Sequence, residues 1–210
     1  MDTQPTVFVV DDDHAVRKAL TLSLKKRGWS VESYESAEAF LTSHDVDRPG
    51  CLVLDVQMPG MSGLELQDAL TARHCNIPII FVTGHGDIPM SVRAIKRGAI
   101  EFLEKPYRQG VLLGRIEEAL AQDARNRQKE VECNAIKARF ERLTAREKEV
   151  MALLVAGAAN ASNKQIARQL DISYRTVDNH RARVMEKMQA QSVPDLVDMA
   201  KLCGVYKSTD

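Results

Sequence analysis

The sequence predicts two domains of different class, an α/β domain on five parallel strands followed by a smaller all-helical one. Three observations predict this. Strand-type and helix-type patterns alternate over the first 120 residues. The runs at 6–10, 51–54 and 77–82 are almost wholly apolar, as befits strands covered on both faces. From residue 143 onward, every periodic stretch is helical.

The elements follow in order. Thr6-Val7-Phe8-Val9-Val10 is the first strand and runs into Asp11-Asp12-Asp13; Val16, Leu20 and Leu24 then recur at helical spacing until Gly28. Ser30–Tyr34 alternates with period two, and Ser36 caps a short helix reaching Leu41. Cys51-Leu52-Val53-Leu54 stops at Asp55, because the Met58-Pro59-Gly60 beyond it cannot continue a strand. Residues 62–73 form an amphipathic helix with Leu64, Leu66 and Leu70 inward, and the strand at 77–82 runs into Thr83-Gly84. A helix at 88–98 and a strand at 100–103 lead through Glu104 to Lys105-Pro106. Tyr107 opens the fifth helix, carrying Leu112, Leu113, Ile116 and Leu120. Right-handed crossovers put helices on both faces, and the flavodoxin-like strand order 2-1-3-4-5 is the expected arrangement.

Apolar periodicity fades after Leu120. Residues 122–142 are rich in charge but contain neither Gly nor Pro, so a solvated helical linker is expected between domains at 1–121 and 143–210. Ala124, Val131, Ala135 and Ala138 outline a weak coiled-coil seam with two heptad positions missing, which favours a single exposed helix over a paired one. Beyond it, Thr144 and Glu147 form a capping box for a helix ending at Gly157. Asn163–Leu170, the turn Asp171-Ile172-Ser173 and Tyr174–Met188 make a helix-turn-helix candidate, followed by a last helix over Val193–Cys203.

Composition narrows the function classes. Lys and Arg balance Asp and Glu over the whole chain, yet residues 1–125 hold 14 basic against 18 acidic groups and residues 126–210 hold 15 against 11. A basic second half is compatible with nucleic acid as its partner. Cys51, Cys75, Cys133 and Cys203 are too scattered for metal-ligand spacing. No apolar run approaches the roughly 20 residues that cross a bilayer, and the start of the chain lacks a basic segment followed by an apolar core. A cytoplasmic protein with no membrane partner is expected.

Parallel strands gather their carboxyl ends at one edge, where chemistry collects in open α/β sheets. That edge would hold an acidic cluster of Asp11, Asp12 and Asp55, the Thr83 hydroxyl and the Lys105 ammonium. A carboxylate can carry a phosphoryl group as a mixed anhydride. Crowded carboxylates need a cation, since like charges 4 Å apart cost about 4 kcal/mol at an effective dielectric near 20. Hard oxygen ligands select Mg²⁺. Asp13 is expected at the helix start with no chemical role.

The Asp11-Asp12 pair, Leu54-Asp55-Val56-Gln57-Met58-Pro59-Gly60-Met61-Ser62-Gly63, Thr83-Gly84-His85-Gly86-Asp87 and Phe102-Leu103-Glu104-Lys105-Pro106 resemble the receiver domain of two-component response regulators. Leu143-Thr144-Ala145-Arg146-Glu147, Asn163-Lys164-Gln165-Ile166-Ala167 and Arg175-Thr176-Val177-Asp178-Asn179-His180-Arg181 resemble the LuxR-type helix-turn-helix of the FixJ/NarL family. The resemblance covers nearly the whole chain except the linker. It implies Asp55 as phosphoacceptor and Mg²⁺ held by Asp12, Asp55 and the Gln57 carbonyl, with Asp11 acting through a water. It implies Thr83 and Phe102 as a switch pair, Lys105 as a phosphate ligand with a cis Lys105-Pro106 peptide, and a sensor histidine kinase as donor. Gln57 and His85 would flank the path of an attacking water and tune the phosphate lifetime.

In the second half, Val177, Val184 and Met188 face inward at helical spacing, leaving Arg175, Asp178, Asn179, Ala182, Arg183 and Glu186 outward. An exposed Arg- and Asn-bearing face suits the major groove. The resemblance places Asp178, Asn179 and Ala182 at base edges, and Lys164, Thr176, His180, Arg183 and Lys187 at the DNA backbone. Asp178 is unusual there, because it would repel phosphate unless it accepts from a cytosine amine. The stretch 157–163 is longer than the usual connection, through a longer loop or an early helix start.

The leading expectation is a phosphorylation-controlled transcription factor, not a conventional enzyme, that phosphorylates itself slowly from small donors with Mg²⁺ and loses the group slowly. It would dimerise when active, bind double-stranded promoter DNA and have RNA polymerase as a further partner. A receiver signalling by protein contact alone is one alternative. An aspartyl-phosphate hydrolase is another, disfavoured because Gln57 stands where a second Asp is expected.

Overall fold

A computed structural model describes residues 4–43, 48–84, 88–157 and 162–206, of which 88 and 89 are described by their backbone alone. The chain divides into two compact units, Met1–Asn126 and Arg127–Asp210. The first unit alternates β1 (Thr6–Val10), α1 (His14–Lys25), β2 (Ser30–Tyr34), α2 (Ala37–Ser43), β3 (Gly50–Asp55), α3 (Gly63–Ala72), β4 (Ile79–Thr83), α4 (Ile88–Lys96) and β5 (Glu101–Glu104), then enters α5 (Gln109–Glu141). The strands pair in parallel in the order β2-β1-β3-β4-β5, the predicted one.

Two cores account for the unbroken apolar runs. Phe8, Val10, Leu52, Leu54 and Phe81 point to one face of the sheet, where Phe40 of α2 and Leu66 and Leu70 of α3 cover them. Val7, Val9, Val53, Ile80 and Val82 point to the other, under Leu24 of α1 and Leu112 and Ile116 of α5. Alternate residues thus serve opposite cores, and neither face can tolerate a polar pattern. Edge-to-face ring pairs knit the first core, with Phe40 centred 5.7 Å from Phe8 and 5.3 Å from Tyr34. The fourth strand begins at Ile79, not 77, because Pro78 has no N–H for the ladder; its carbonyl still accepts from Leu52 N at 2.9 Å.

The charged stretch after Leu120 is helical, as expected, and belongs to the same element as the fifth helix. It is not solvated throughout. Asp123 is buried and accepts the Gly50 N–H at 2.9 Å, fixing α5 to the start of β3. Ala124, Val131, Ala135 and Ala138 are all exposed. Within the second unit, Ile136 and Phe140 at the end of α5 pack with Leu143, an inward pair that the sparse apolar pattern conceals.

The second unit continues with α6 (Ala145–Ala156), α7 (Asn163–Leu170), α8 (Tyr174–Met188) and α9 (Val193–Cys203) around Val150, Met151, Leu154, Ile166, Val177 and Val184. Thr144 and Glu147 form the expected capping box, and Ser162 with Gln165 forms another. The turn between α7 and α8 is tight because Asp171 adopts the left-handed conformation (φ 52°), which lets Ile172 N–H reach the Ala167 carbonyl at 3.0 Å. Of the connection at 157–163, residues 158–161 lie outside the described residues; α7 starts at Asn163 as predicted.

Candidate functional site

Asp55 is the last residue of β3 and Asp11 follows β1 directly, so adjacent parallel strands deliver both carboxylates to one edge. Asp11 and Asp55 are 5 % and 8 % exposed. One oxygen of each, with one from exposed Asp12, lies within 4.8 Å of the others. Lys105, placed by the end of β5, sends its Nζ to 2.8 Å from both Asp11 Oδ2 and Asp55 Oδ2. Each carboxylate spends its other oxygen on a local backbone donor: Asp13 N–H to Asp11 Oδ1 at 2.9 Å, Gln57 N–H to Asp55 Oδ1 at 3.1 Å.

Electrostatics follow from this crowding. Burial raises the Asp11 carboxyl above the usual range, with the Asp55 charge adding to it, although Lys105 pulls the other way. Burial alone would lower the Lys105 ammonium, but hydrogen bonds to Asp11 and Asp55 outweigh it and hold the group above its ordinary value. One ammonium contacts two of the three clustered carboxylates, leaving a formal deficit of positive charge in an all-oxygen donor set. That chemistry fits a hard divalent cation such as Mg²⁺.

The surrounding loops are tied down by side chains distant in sequence. Asp13 caps α1, its Oδ1 accepting from Ala15 N and Val16 N, which places it outside the cluster as expected. The Lys105 N–H donates to the Thr83 carbonyl at 2.7 Å, and the Lys105-Pro106 peptide is cis, as the resemblance implies. Thr83 is fully buried, while Phe102 is half-buried with its ring 6.1 Å from Phe81. After Asp55, the loop passes Gly60 (φ 78°) above Glu38, whose Oε1 accepts the Met61 N–H at 2.9 Å. At Gly63 a methyl would fall 2.2 Å from the Asp55 carbonyl oxygen, so only glycine fits. Gln57 is exposed; His85 lies outside the described residues.

In the second unit α8 divides as its spacing predicts. Val177, Val184 and Met188 are fully buried, while Arg175, Asp178, Asn179, Ala182 and Arg183 are exposed, as is Lys164 on α7. Thr176 and His180 are half-buried; the Thr176 hydroxyl meets the Ser173 hydroxyl at 2.7 Å. Lys187 is engaged within the fold, its Nζ 2.6 Å from the nearly buried Glu147 carboxylate and 3.4 Å from the Arg142 carbonyl. Asp178 accepts from Asn163 Nδ2 at 3.1 Å, and Arg181 donates to Asn163 Oδ1 at 3.1 Å. The sequence assigns no role to Asn163 or Arg181; the available signal is an Asp-Arg pair three residues apart on α8.

A doubly wound sheet with an acid cluster and a lysine at its carboxyl edge, joined to a helix-turn-helix, defines a response regulator with a DNA-binding output. The comparisons agree. The response regulator receiver domain family matches residues 7–117, and the "bacterial regulatory proteins, luxR family" matches 141–200. The transcriptional regulatory protein FixJ of Rhizobium meliloti is 46 % identical over 202 residues, which cover 96 % of this chain and 98 % of that protein. Among solved structures, the response regulator StyR aligns over 95 % of this chain and 99 % of its own, at 46 % identity and a TM-score of 0.78. Full-length FixJ of B. japonicum covers 98 % and 100 % at 41 % identity, with a TM-score of 0.56. The chain belongs to the FixJ-like response regulators, transcription regulators controlled by phosphorylation. No helix among the described residues is long and apolar enough to cross a membrane.

Proposed function

We propose that Asp55 accepts a phosphoryl group from a phosphohistidine of a sensor histidine kinase, and that this controls promoter binding by α8. The observation that carries the reading is the Lys105 ammonium shared between Asp11 and Asp55 at 2.8 Å, a cation waiting beside the proposed acceptor. An Asp55 oxygen attacks phosphorus, an O–P bond forms as the N–P bond breaks, and the electron pair returns to the imidazole, which takes a proton from solvent. Asp11, Asp12, Asp55 and the Gln57 carbonyl are the residues that would hold Mg²⁺. When bound, the ion supplies charge neutralisation for the phosphoryl oxygens. Small donors such as acetyl phosphate would serve by the same attack, and hydrolysis by water returns Asp55 slowly.

Phosphorylation adds charge that only some conformations can satisfy. Lys105 and the Thr83 hydroxyl are the donors proposed to gather around it, with Phe102 moving inward. The phosphorylated state would dimerise and bind double-stranded DNA, acting on transcription together with RNA polymerase in the cytoplasm. Asn179, Asp178 and Ala182 are proposed to meet base edges. Lys164, Arg175, Thr176, His180 and Arg183 are assigned to the backbone, and Lys187 to bracing Glu147.

The test is labelling with acetyl phosphate in the presence of Mg²⁺, followed by a gel shift with selected promoter fragments. Wild type takes label and shifts DNA more strongly once phosphorylated, whereas Asp55→Asn does neither. Continued labelling of that variant refutes the acceptor assignment.

A further inference from the structure

Asp178 presents a physical difficulty on a DNA-reading face, since a carboxylate there meets a phosphate-lined groove. The structure gives it a mount. Asn163, the first residue of α7 and 8 % exposed, lies between Asp178 and Arg181, with both hydrogen bonds 3.1 Å long. The orientation of its amide is dictated. Arg181 can only donate, so the Asn163 oxygen must face it and the amide nitrogen must face Asp178. Asp178 Oδ1 is thereby held, and its second oxygen remains an acceptor on an exposed residue.

We propose that Asn163, braced by Arg181, is a positioning residue that aims Asp178 at the exocyclic amine of a cytosine, making Asp178 a selector for cytosine at one position of the bound site. This rests on the DNA-binding reading given above. The choice of base follows from what lies beside each amine in the major groove. The N6 amine of adenine lies between two acceptors that repel a carboxylate, its own N7 and the paired thymine O4; the N4 amine of cytosine has the paired guanine O6 on one side but only its own C–H edge on the other. Thymine O4 and guanine O6 and N7 offer acceptors alone, so a held carboxylate facing them is desolvated without a partner. Selection is therefore by rejection as much as by attraction. A freely rotating Asp178 could turn away from the wrong base, so the Asn163 bond is what enforces the rejection.

The experiment uses the full chain with acetyl phosphate and Mg²⁺, at one fixed salt concentration. A duplex is selected from a random library with wild-type protein, and anisotropy titrations then replace each base pair in turn. Replacing one particular C·G pair should weaken wild type roughly fivefold or more, and Asp178→Ala less than twofold. Asn163→Asp is isosteric and keeps an acceptor for Arg181, but it turns a repelling carboxylate toward Asp178. It should lose the same preference at the same pair, and add nothing in the Asp178→Ala background. Retention of every preference by Asp178→Ala overturns the inference alone. So does an Asn163→Asp variant that weakens all sequences equally with its preferences intact, the behaviour of a merely structural residue. If wild type selects no sequence, the DNA-binding reading falls and takes the inference with it.

Discussion

Lys105 Nζ sits 2.8 Å from Asp55 Oδ2 and equally near Asp11 Oδ2, so a single ammonium holds two buried carboxylates apart from open repulsion. Lys105→Met removes it and leaves like charges facing each other. In EDTA the variant should lose about 1–3 kcal/mol, less than the cost of breaking a fully buried pair because the lysine side chain is 24 % exposed. Millimolar Mg²⁺ should restore more stability to the variant than to wild type. Urea unfolding with and without the ion decides it, and equal responses in the two proteins would count against a cation site there.

Glu147 and Lys187 make the matching test in the second unit. The Glu147 carboxylate is nearly inaccessible; burial pushes its pKa up, but the Lys187 and Thr144 hydrogen bonds prevail and hold it below the ordinary 4.5. A folded pKa below the unfolded one means the stabilisation is complete above pH 4.5 and disappears as pH falls through the folded value. Glu147→Gln should therefore show a shallower loss of stability below pH 4.5 than wild type, followed by circular dichroism.

Lys187→Ala strands the Glu147 charge and should cost about 2–4 kcal/mol at neutral pH. Under conditions where the variant remains folded, the salt dependence of DNA affinity should match wild type. A slope lower by about one would instead make Lys187 a phosphate ligand.

Two exposed residues of α8 should separate in kind. Asn179→Ala is expected to relax sequence preference with about 1–3 kcal/mol lost only on the preferred site. Arg183→Ala should weaken every duplex alike and reduce the salt slope by about one. Competition titrations at two salt concentrations distinguish them.

Gly63→Ala tests the backbone beneath Asp55, the proposed acceptor. Its methyl would stand 2.2 Å from the Asp55 carbonyl and 3.1 Å from Leu54 Cγ, so the strand end must move. A destabilisation of about 1–3 kcal/mol is expected, with slower labelling by acetyl phosphate than any surface Gly→Ala control such as Gly114→Ala, which meets nothing within 4 Å.

Much of the fold was legible because local signals agreed with one another. Apolar runs ending in Asp11, Asp55, Thr83 and Lys105 gave both the strands and their common edge, and the spacing of Val177, Val184 and Met188 gave the buried face of α8. What stayed hidden was long-range pairing between polar side chains. Nothing in periodicity links Asp123 to Gly50, Glu147 to Lys187, or Asn163 to Asp178, since each bond depends on how elements cross in space. The sequence pattern divides helix α5 in two for a related reason. Its apolar pattern stops at Leu120, but the uninterrupted helix-forming residues beyond it need no pattern to stay helical.

Glu38 has a practical bearing on how variants of this protein are sought. It stands on a helix outside every recognisable motif, yet one oxygen grips the Met61 amide and fills the space a side chain at Gly60 would need. A survey confined to signature positions would overlook it. Altering that glutamate should loosen the segment just downstream of Asp55 while leaving Asp11, Asp55 and Lys105 in place, giving a handle on the surroundings of the proposed acceptor without touching its chemistry.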